Sequence, residues 1–397
     1  MKNRTIKILL LILFSHYWVI HSAAQNPTID SLKLQIEKST GGNKVKSLNE
    51  LSKAYWYISP DTSLMYAKKA LETAQKINYD PGVSDALNRI GNAYFFLGNY
   101  DKALSYYENC LELREKMNDF NRLVQIYNNI GVFYVSQREH EKATKYYEKA
   151  YNLALKEKKP KEAGTYALLI GNQKYNAHKY DEAIEYLFKA EEIYNDLNDP
   201  SVMGEIYNLK GAVYREISSY DKALNAFLTG LDYHKSVNNL TGMANSYNSI
   251  GIINQTLKNY DKALEYYNKM IDIYKDLDAK EDLSIAYNNI GIVYDKKEEN
   301  KKALDYYQKA YDINKEFDDK EGMSTALNNI GLIYFELDDY DKSLNYLKRS
   351  LKISKNIAAK ASIANTYNNM AEVLMKKGQY NSALSKIDSA IELSKEV

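Results

Sequence analysis

The chain has 397 residues, with 53 Lys plus Arg against 52 Asp plus Glu, 38 tyrosines, 5 prolines and 1 cysteine. Near-balanced charge leaves no basic footprint for DNA, RNA or an anionic membrane surface. The lone Cys110 excludes a disulfide framework and any cysteine-based zinc site.

The N-terminal segment reads first. Lys2, Arg4 and Lys7 precede an uninterrupted apolar run, Ile8 to Phe14, and Ser22-Ala23-Ala24 supplies small residues before Gln25. This is the pattern of a secretory signal peptide over residues 1–24, which places the mature chain in the periplasm or outside the cell. The alternative is a retained anchor. Ile8 to Ile20 contains Ser15 and His16 and falls short of the roughly 20 residues that span a bilayer. No later stretch is apolar enough to cross a membrane.

Residues 25–43 read as a capping helix, with Ile29, Leu32 and Ile36 on one face and Gly41-Gly42 closing it. Residues 44–83 read as a divergent pair of helices. Leu48, Leu51 and Tyr55 line the first, Ser59-Pro60-Asp61 makes the turn, and Leu64, Ala67 and Ala70 line the second.

From residue 84 to 397 the chain repeats with a period of 40, in eight units of which the last has 34 residues. Glycine recurs at Gly91, Gly131, Gly171, Gly211, Gly251, Gly291 and Gly331, followed by Ala371. Twelve residues later come Ala103, Ala143, Ala183, Ala223, Ala263, Ala303, Ser343 and Ala383. Four further on stand Tyr107, Tyr147, Leu187, Phe227, Tyr267, Tyr307, Leu347 and Ile387. Within a unit the apolar period is helical: Leu283, Tyr287, Ile290, Gly291 and Tyr294 share one face. Acids such as Asp101, Glu141 and Asp261 suit the positive end of a second helix. Counted from Val124, a unit carries Tyr127, Ile130, Gly131, Tyr134, Ala143, Tyr147 and Ala150.

That pattern resembles the tetratricopeptide repeat, with 40 residues where the usual unit has about 34. Similar extended units occur in kinesin light chains, bacterial peptide-pheromone receptors and the sensor regions of bacterial two-component kinases. The resemblance implies an all-α, right-handed superhelical solenoid of antiparallel helix pairs that serves as a binding scaffold.

The chemistry of an active site is missing from the pattern. Gly41-Gly42-Asn43-Lys44 lacks the spacing of a phosphate loop. His140, His178 and His234 lie in different units without a helical partner for a metal, and are expected on solvated faces. Cys110 shares a column with Ala150, Ala190 and Ala310 and reads as a buried packing residue. Neither catalytic residues, nor a metal, nor a cofactor are expected.

What remains is the concave face of the first helices. With unit positions 4, 7, 8 and 11 in the core, positions 2, 5, 6, 9, 12 and 13 face outward. Position 5 reads Asn88, Asn128, Leu168, Asn208, Asn248, Asn288, Asn328 and Asn368, and position 6 adds Asn129, Asn289, Asn329 and Asn369. Asparagine is a poor helix-interior residue, so the column needs a reason. One is that these amides bind an extended peptide backbone, as the resemblance to kinesin light chains and pheromone receptors implies. The others are bonds between neighbouring first helices, or inheritance from repeat duplication. Leu168-Leu169, with Thr165, Asn172 and Tyr175, reads as an apolar stretch of the groove. Lys210 and Asn254 interrupt the core pattern. The function expected is an exported scaffold for a peptide or protein segment. The alternative is an extracytoplasmic sensor or adaptor of a two-component system whose kinase is on another chain.

Overall fold

The computed structural model describes residues 27–395. The expected signal peptide, residues 1–24, lies outside them. Every twentieth residue from 78 to 378 carries a positive φ, between 49° at Asn118 and 74° at Gly98. Each is the left-handed residue that ends a helix. At the turn after Phe96, Gly98 N–H donates to the Phe95 carbonyl at 3.1 Å and Asn99 N–H to the Tyr94 carbonyl at 2.9 Å. This Schellman-type closure satisfies the carbonyls that a helix C-terminus leaves open. The same bonds recur at Arg138, Lys258 and Ala358. The period of 40 is therefore two near-equal halves of a helix and a short turn, and the extra length over a common repeat is shared by both helices.

Two compact units divide at Asp199 and Pro200. The first holds α1 (Pro27–Lys38), α2 (Gly41–Tyr55), α3 (Pro60–Lys76), α4 (Asp80–Phe96) and α5 (Tyr100–Met117). It continues with α6 (Phe120–Ser136), α7 (His140–Lys156), α8 (Pro160–Asn176) and α9 (Tyr180–Asp196). The second opens with a 3-10 turn, Pro200–Val202, and holds α10 (Met203–Glu216), α11 (Tyr220–Ser236), α12 (Leu240–Thr256), α13 (Tyr260–Asp276) and α14 (Lys280–Lys296). It ends with α15 (Asn300–Glu316), α16 (Lys320–Glu336), α17 (Tyr340–Asn356), α18 (Lys360–Lys376) and α19 (Tyr380–Ser394). There is no strand among the described residues, and within each unit successive helices pack into a solenoid of antiparallel pairs.

The glycine column is explained by rings. A Cβ on Gly91 would stand 2.6 Å from the Tyr107 ring, and one on Gly291 2.6 Å from that of Tyr307. The sixteenth residue onward thus fills the space of the missing methyl. Where that residue is Leu187 or Leu347, the gap to Gly171 or Gly331 is 3.0 or 2.9 Å. Glycine in a helix costs about 1 kcal/mol against alanine, and the buried ring offsets it. A second clasp joins the two helices of a pair. Tyr94 stacks on Tyr106 at 5.6 Å, Tyr294 on Tyr306 at 5.5 Å and Tyr334 on Tyr346 at 5.4 Å. Lys102, Lys302 and Lys342 lie over the first ring of each.

Several expectations shift. The first helices open four residues earlier than the unit start at 84, so Pro81 and Pro160 occupy first-turn positions where their missing N–H costs nothing. Gly41-Gly42 opens α2 instead of closing α1, with Gly41 at φ 55°. The buried face is wider than expected: positions 3 and 10, such as Ala286 and Val293, are fully buried because the first helix is covered by second helices on both flanks. Leu384 and Ile391 are exposed on α19.

Candidate functional site

The asparagine column is a bonded ladder. Asn129 Nδ2 donates to Asn88 Oδ1 at 2.7 Å. In the second unit Asn289 donates to Asn248 at 2.8 Å, Asn329 to Asn288 at 2.9 Å and Asn369 to Asn328 at 3.0 Å. The rule is one bond from position 6 of a unit to position 5 of the unit before it. It holds wherever both are asparagine.

Each tie uses half of each amide. Asn248, Asn288 and Asn328 spend their carbonyl oxygens, and their Nδ2 groups make no hydrogen bond within the protein. Asn289, Asn329 and Asn369 spend one N–H and keep an acceptor. The tie also fixes which end of each amide turns outward. Beside them, one helical turn on at position 9, runs a half-buried row of Ile252, Ile292 and Leu332. Reading position 9 at a spacing of 40 would have revealed this row from the sequence. Asn368 is exposed and carries no tie.

The rest of the column departs from it. Asn88 is buried. Asn128 faces a unit whose position 6 is Leu169, and its buried Oδ1 has no partner in the protein. Asn208 is engaged internally, with Oδ1 accepting from Ser246 Oγ at 3.0 Å and Nδ2 against His234 Nε2 at 3.2 Å. Leu168 and Leu169 do not form an apolar stretch of groove. Both are buried, and Leu169 packs with Tyr147 and Tyr166 in the core of the first unit.

His234 also corrects an expectation. It is buried between Gly204 and Gly242, and burial lowers its pKa to about 4. His140 bonds Gln173 Oε1 at 2.9 Å, and His178 bonds the Tyr180 hydroxyl at 2.9 Å. Cys110 is buried as expected. Its thiol donates to the Ser84 carbonyl at 3.2 Å and burial pushes it up to about 11, far from a reactive thiolate. Asn254, at a core position, turns its amide to the Ile250 carbonyl at 2.9 Å, and the Lys210 ammonium lies 5.3 Å from the Tyr207 ring. Among the described residues no group of three or more His, Cys, Asp or Glu is placed to hold a metal ion. No described helix is long and apolar enough to cross a membrane.

Paired helices, a glycine-and-ring seam and a period of 40 agree with the family models that match the chain. Three models, each described as tetratricopeptide repeat, match residues 84–117, 124–157 and overlapping stretches from 202 to 356, together more than half of the chain. The chain belongs to the tetratricopeptide repeat family. No curated protein matches it closely. Among solved structures it is similar to the apo form of RapI, at 15% identity and a TM-score of 0.64, over 93% of this chain and 97% of that one. It is also similar to aspartyl phosphate phosphatase F from Bacillus subtilis, at 14% identity and a TM-score of 0.59, over 95% and 96%. A Rap protein complexed with competence and sporulation factor matches at 14% identity and a TM-score of 0.55, over 93% and 98%. At these identities the likeness is one of fold.

Proposed function

We propose that this tetratricopeptide repeat chain is an exported, non-catalytic scaffold that holds an extended peptide or protein segment along the first helices. The observation that carries the reading is the outward half of each tied amide pair beside the row Ile252, Ile292 and Leu332. An extended backbone offers alternating N–H and C=O groups, which such amides match, and its side chains would rest on the apolar row. A Rap protein solved with competence and sporulation factor supports the reading by fold. The N-terminal pattern over residues 1–24 supports export, and sequencing of the native protein should begin at or near Gln25.

Peptides selected from a displayed random library should lose at least tenfold in affinity when one central backbone nitrogen is methylated. The Asn368→Ala variant should weaken them while melting like the parent, because Asn368 holds no tie. Peptides indifferent to backbone methylation would overturn the amide reading. The sensor alternative predicts that a membrane-bound kinase accompanies the protein when it is captured from the envelope fraction.

A further inference from the structure

A second feature lies in the first unit, at the head of the position-6 column, where Arg89 stands in place of asparagine. Arg89 and Trp56 line a cavity of about 180 Å³ with Lys53, Phe96, Asn128 and Phe133 among its walls. Pockets for drug-sized ligands run to about 300–1,000 Å³, so this one suits a ligand of about one amino-acid residue. Its lining contains two cations, Lys53 and Arg89, and no acid. Phe96 packs against Tyr57 at 5.0 Å and Trp56 at 6.4 Å, and Phe133 against Tyr107 at 6.3 Å, which gives the walls an aromatic character.

Arg89 is 8% exposed, and its guanidinium sits 4.9 Å from the centre of the Trp56 ring. One nitrogen, Nη2, reaches Glu50 Oε1 at 3.3 Å. Nε and Nη1 are buried and make no hydrogen bond to the protein, and neither does the indole N–H of Trp56. Burial pulls the guanidinium below its usual pKa, against the opposing pull of Glu50 and Asp85. A buried cation with two unmet donors is costly in isolation, and a bound anion offsets that cost. One unmet acceptor also lines the cavity, Asn128 Oδ1. It asks for an N–H beside the anion.

We propose that this pocket binds an apolar α-amido carboxylate: the carboxylate takes the N–H groups of Arg89 and Trp56, the amide N–H meets Asn128, and the apolar side chain lies among the aromatic walls. An N-acyl amino acid and the last residue of a peptide both have that chemistry. The proposal does not rest on the groove reading, since it needs none of the tied amides of the second unit.

Trp56 reports on the site directly. From Gln25 onward Trp56 is the only tryptophan, and Trp18→Phe makes it so in a chain that keeps residues 1–24. Titration with N-acetyl-L-phenylalanine should change its fluorescence saturably, and N-acetyl-L-phenylalaninamide should bind at least tenfold more weakly. Arg89→Met should abolish that preference. Val132→Tyr fills the pocket while leaving Arg89 and its ion pair intact, so it should block binding with the melting temperature held. A pentapeptide ending in free phenylalanine distinguishes the source. Tenfold tighter binding than the free acid assigns the pocket to a chain terminus, and equal binding assigns it to small acids, either supporting the carboxylate class. Equal affinity for acid and amide, unchanged binding in Val132→Tyr, or competition by inorganic phosphate at the same concentration would overturn it.

Discussion

His234 occupies a column on the second helices that reads Arg114, Ala154, Tyr194, His234, Tyr274, Asn314 and Ser354, all buried. The residue thirty positions earlier adjusts to its size. Gly164 meets Tyr194, Gly204 meets His234, and Ser84 accepts from Arg114 Nε at 2.8 Å. Gly242 and Gly322 complete the space from the other side, against His234 and Asn314. These glycines look scattered in the sequence because each answers one bulky neighbour in another helix. His234 is held neutral in this setting, with its ring nitrogens near the amides of Asn208 and Asn239. Its folded pKa, about 4, lies below the ordinary value of 6.5. Between those two values the unfolded chain binds the proton and the folded chain does not. Stability from His234 is thus complete above pH 6.5 and falls as pH drops towards 4. Glu205, raised by burial and bonded by Asn239, opposes this trend. Comparing melting temperatures of the parent and His234→Gln from pH 7.5 to 4 isolates the histidine. The parent should lose more stability than the variant across that window, and parallel curves would refute a neutral His234.

At the scale of the element, the structural unit is a helix and its turn, with a period of 20. Its left-handed residue is Asn at 78, 118, 198 and 238, glycine at 98 and 378, aspartate at 278, 318 and 338, and elsewhere residues as different as Arg138, His178, Glu298 and Ala358. Asparagine and glycine tolerate this conformation, whereas alanine is strained by about 1 kcal/mol. Because so many residue types occupy the position, its period of 20 is hidden in the sequence although the period of 40 is plain. Glycine at φ 51° relieves the strain, so Ala358→Gly should raise unfolding free energy by about 0.5–1 kcal/mol despite glycine's freedom in the unfolded chain. Denaturant melts of the two proteins check it, and a destabilised variant would mean that Ala358 is held by contacts of its methyl. The seam of glycine and rings was legible because one residue type recurs at one phase. The covered positions 3 and 10 were not, since Ala286, Val293 and Ile333 show burial only once the flanking second helices are in place. Arg89 was equally invisible as a site residue. A single arginine in an asparagine column carries no signal until Trp56, just past the end of α2, and Phe96, at the end of the arginine's own helix, stand beside it.

For the molecule as a whole, stability in a repeat array is close to a sum of terms within repeats and terms between neighbours. The ladder belongs to the second kind. In the second unit, Asn248 to Asn289, Asn288 to Asn329 and Asn328 to Asn369 tie four successive first helices in series. A half-buried amide bond of this sort contributes about 0.5–1.5 kcal/mol. Alanine is the better helix former and recovers part of that loss. Asn288→Ala and Asn329→Ala each break the same bond, so the double variant should be less destabilised than the sum of the two singles. The coupling expected is about 0.5–1 kcal/mol. Asn368→Ala combined with Asn288→Ala should be additive, because Asn368 holds no bond to lose. Measuring these cycles by denaturant unfolding assigns the ladder its share of the cohesion between repeats. Peptide affinity measured on the same variants then separates the two uses of one column. Asn329→Ala should cost stability and affinity together, since it removes both the tie and the orientation it imposes on Asn288, whereas Asn368→Ala should cost affinity alone. Additive Asn288 and Asn329 effects would mean that the ties seen at 2.9 Å carry no net energy and the array is held by its rings and aliphatic core.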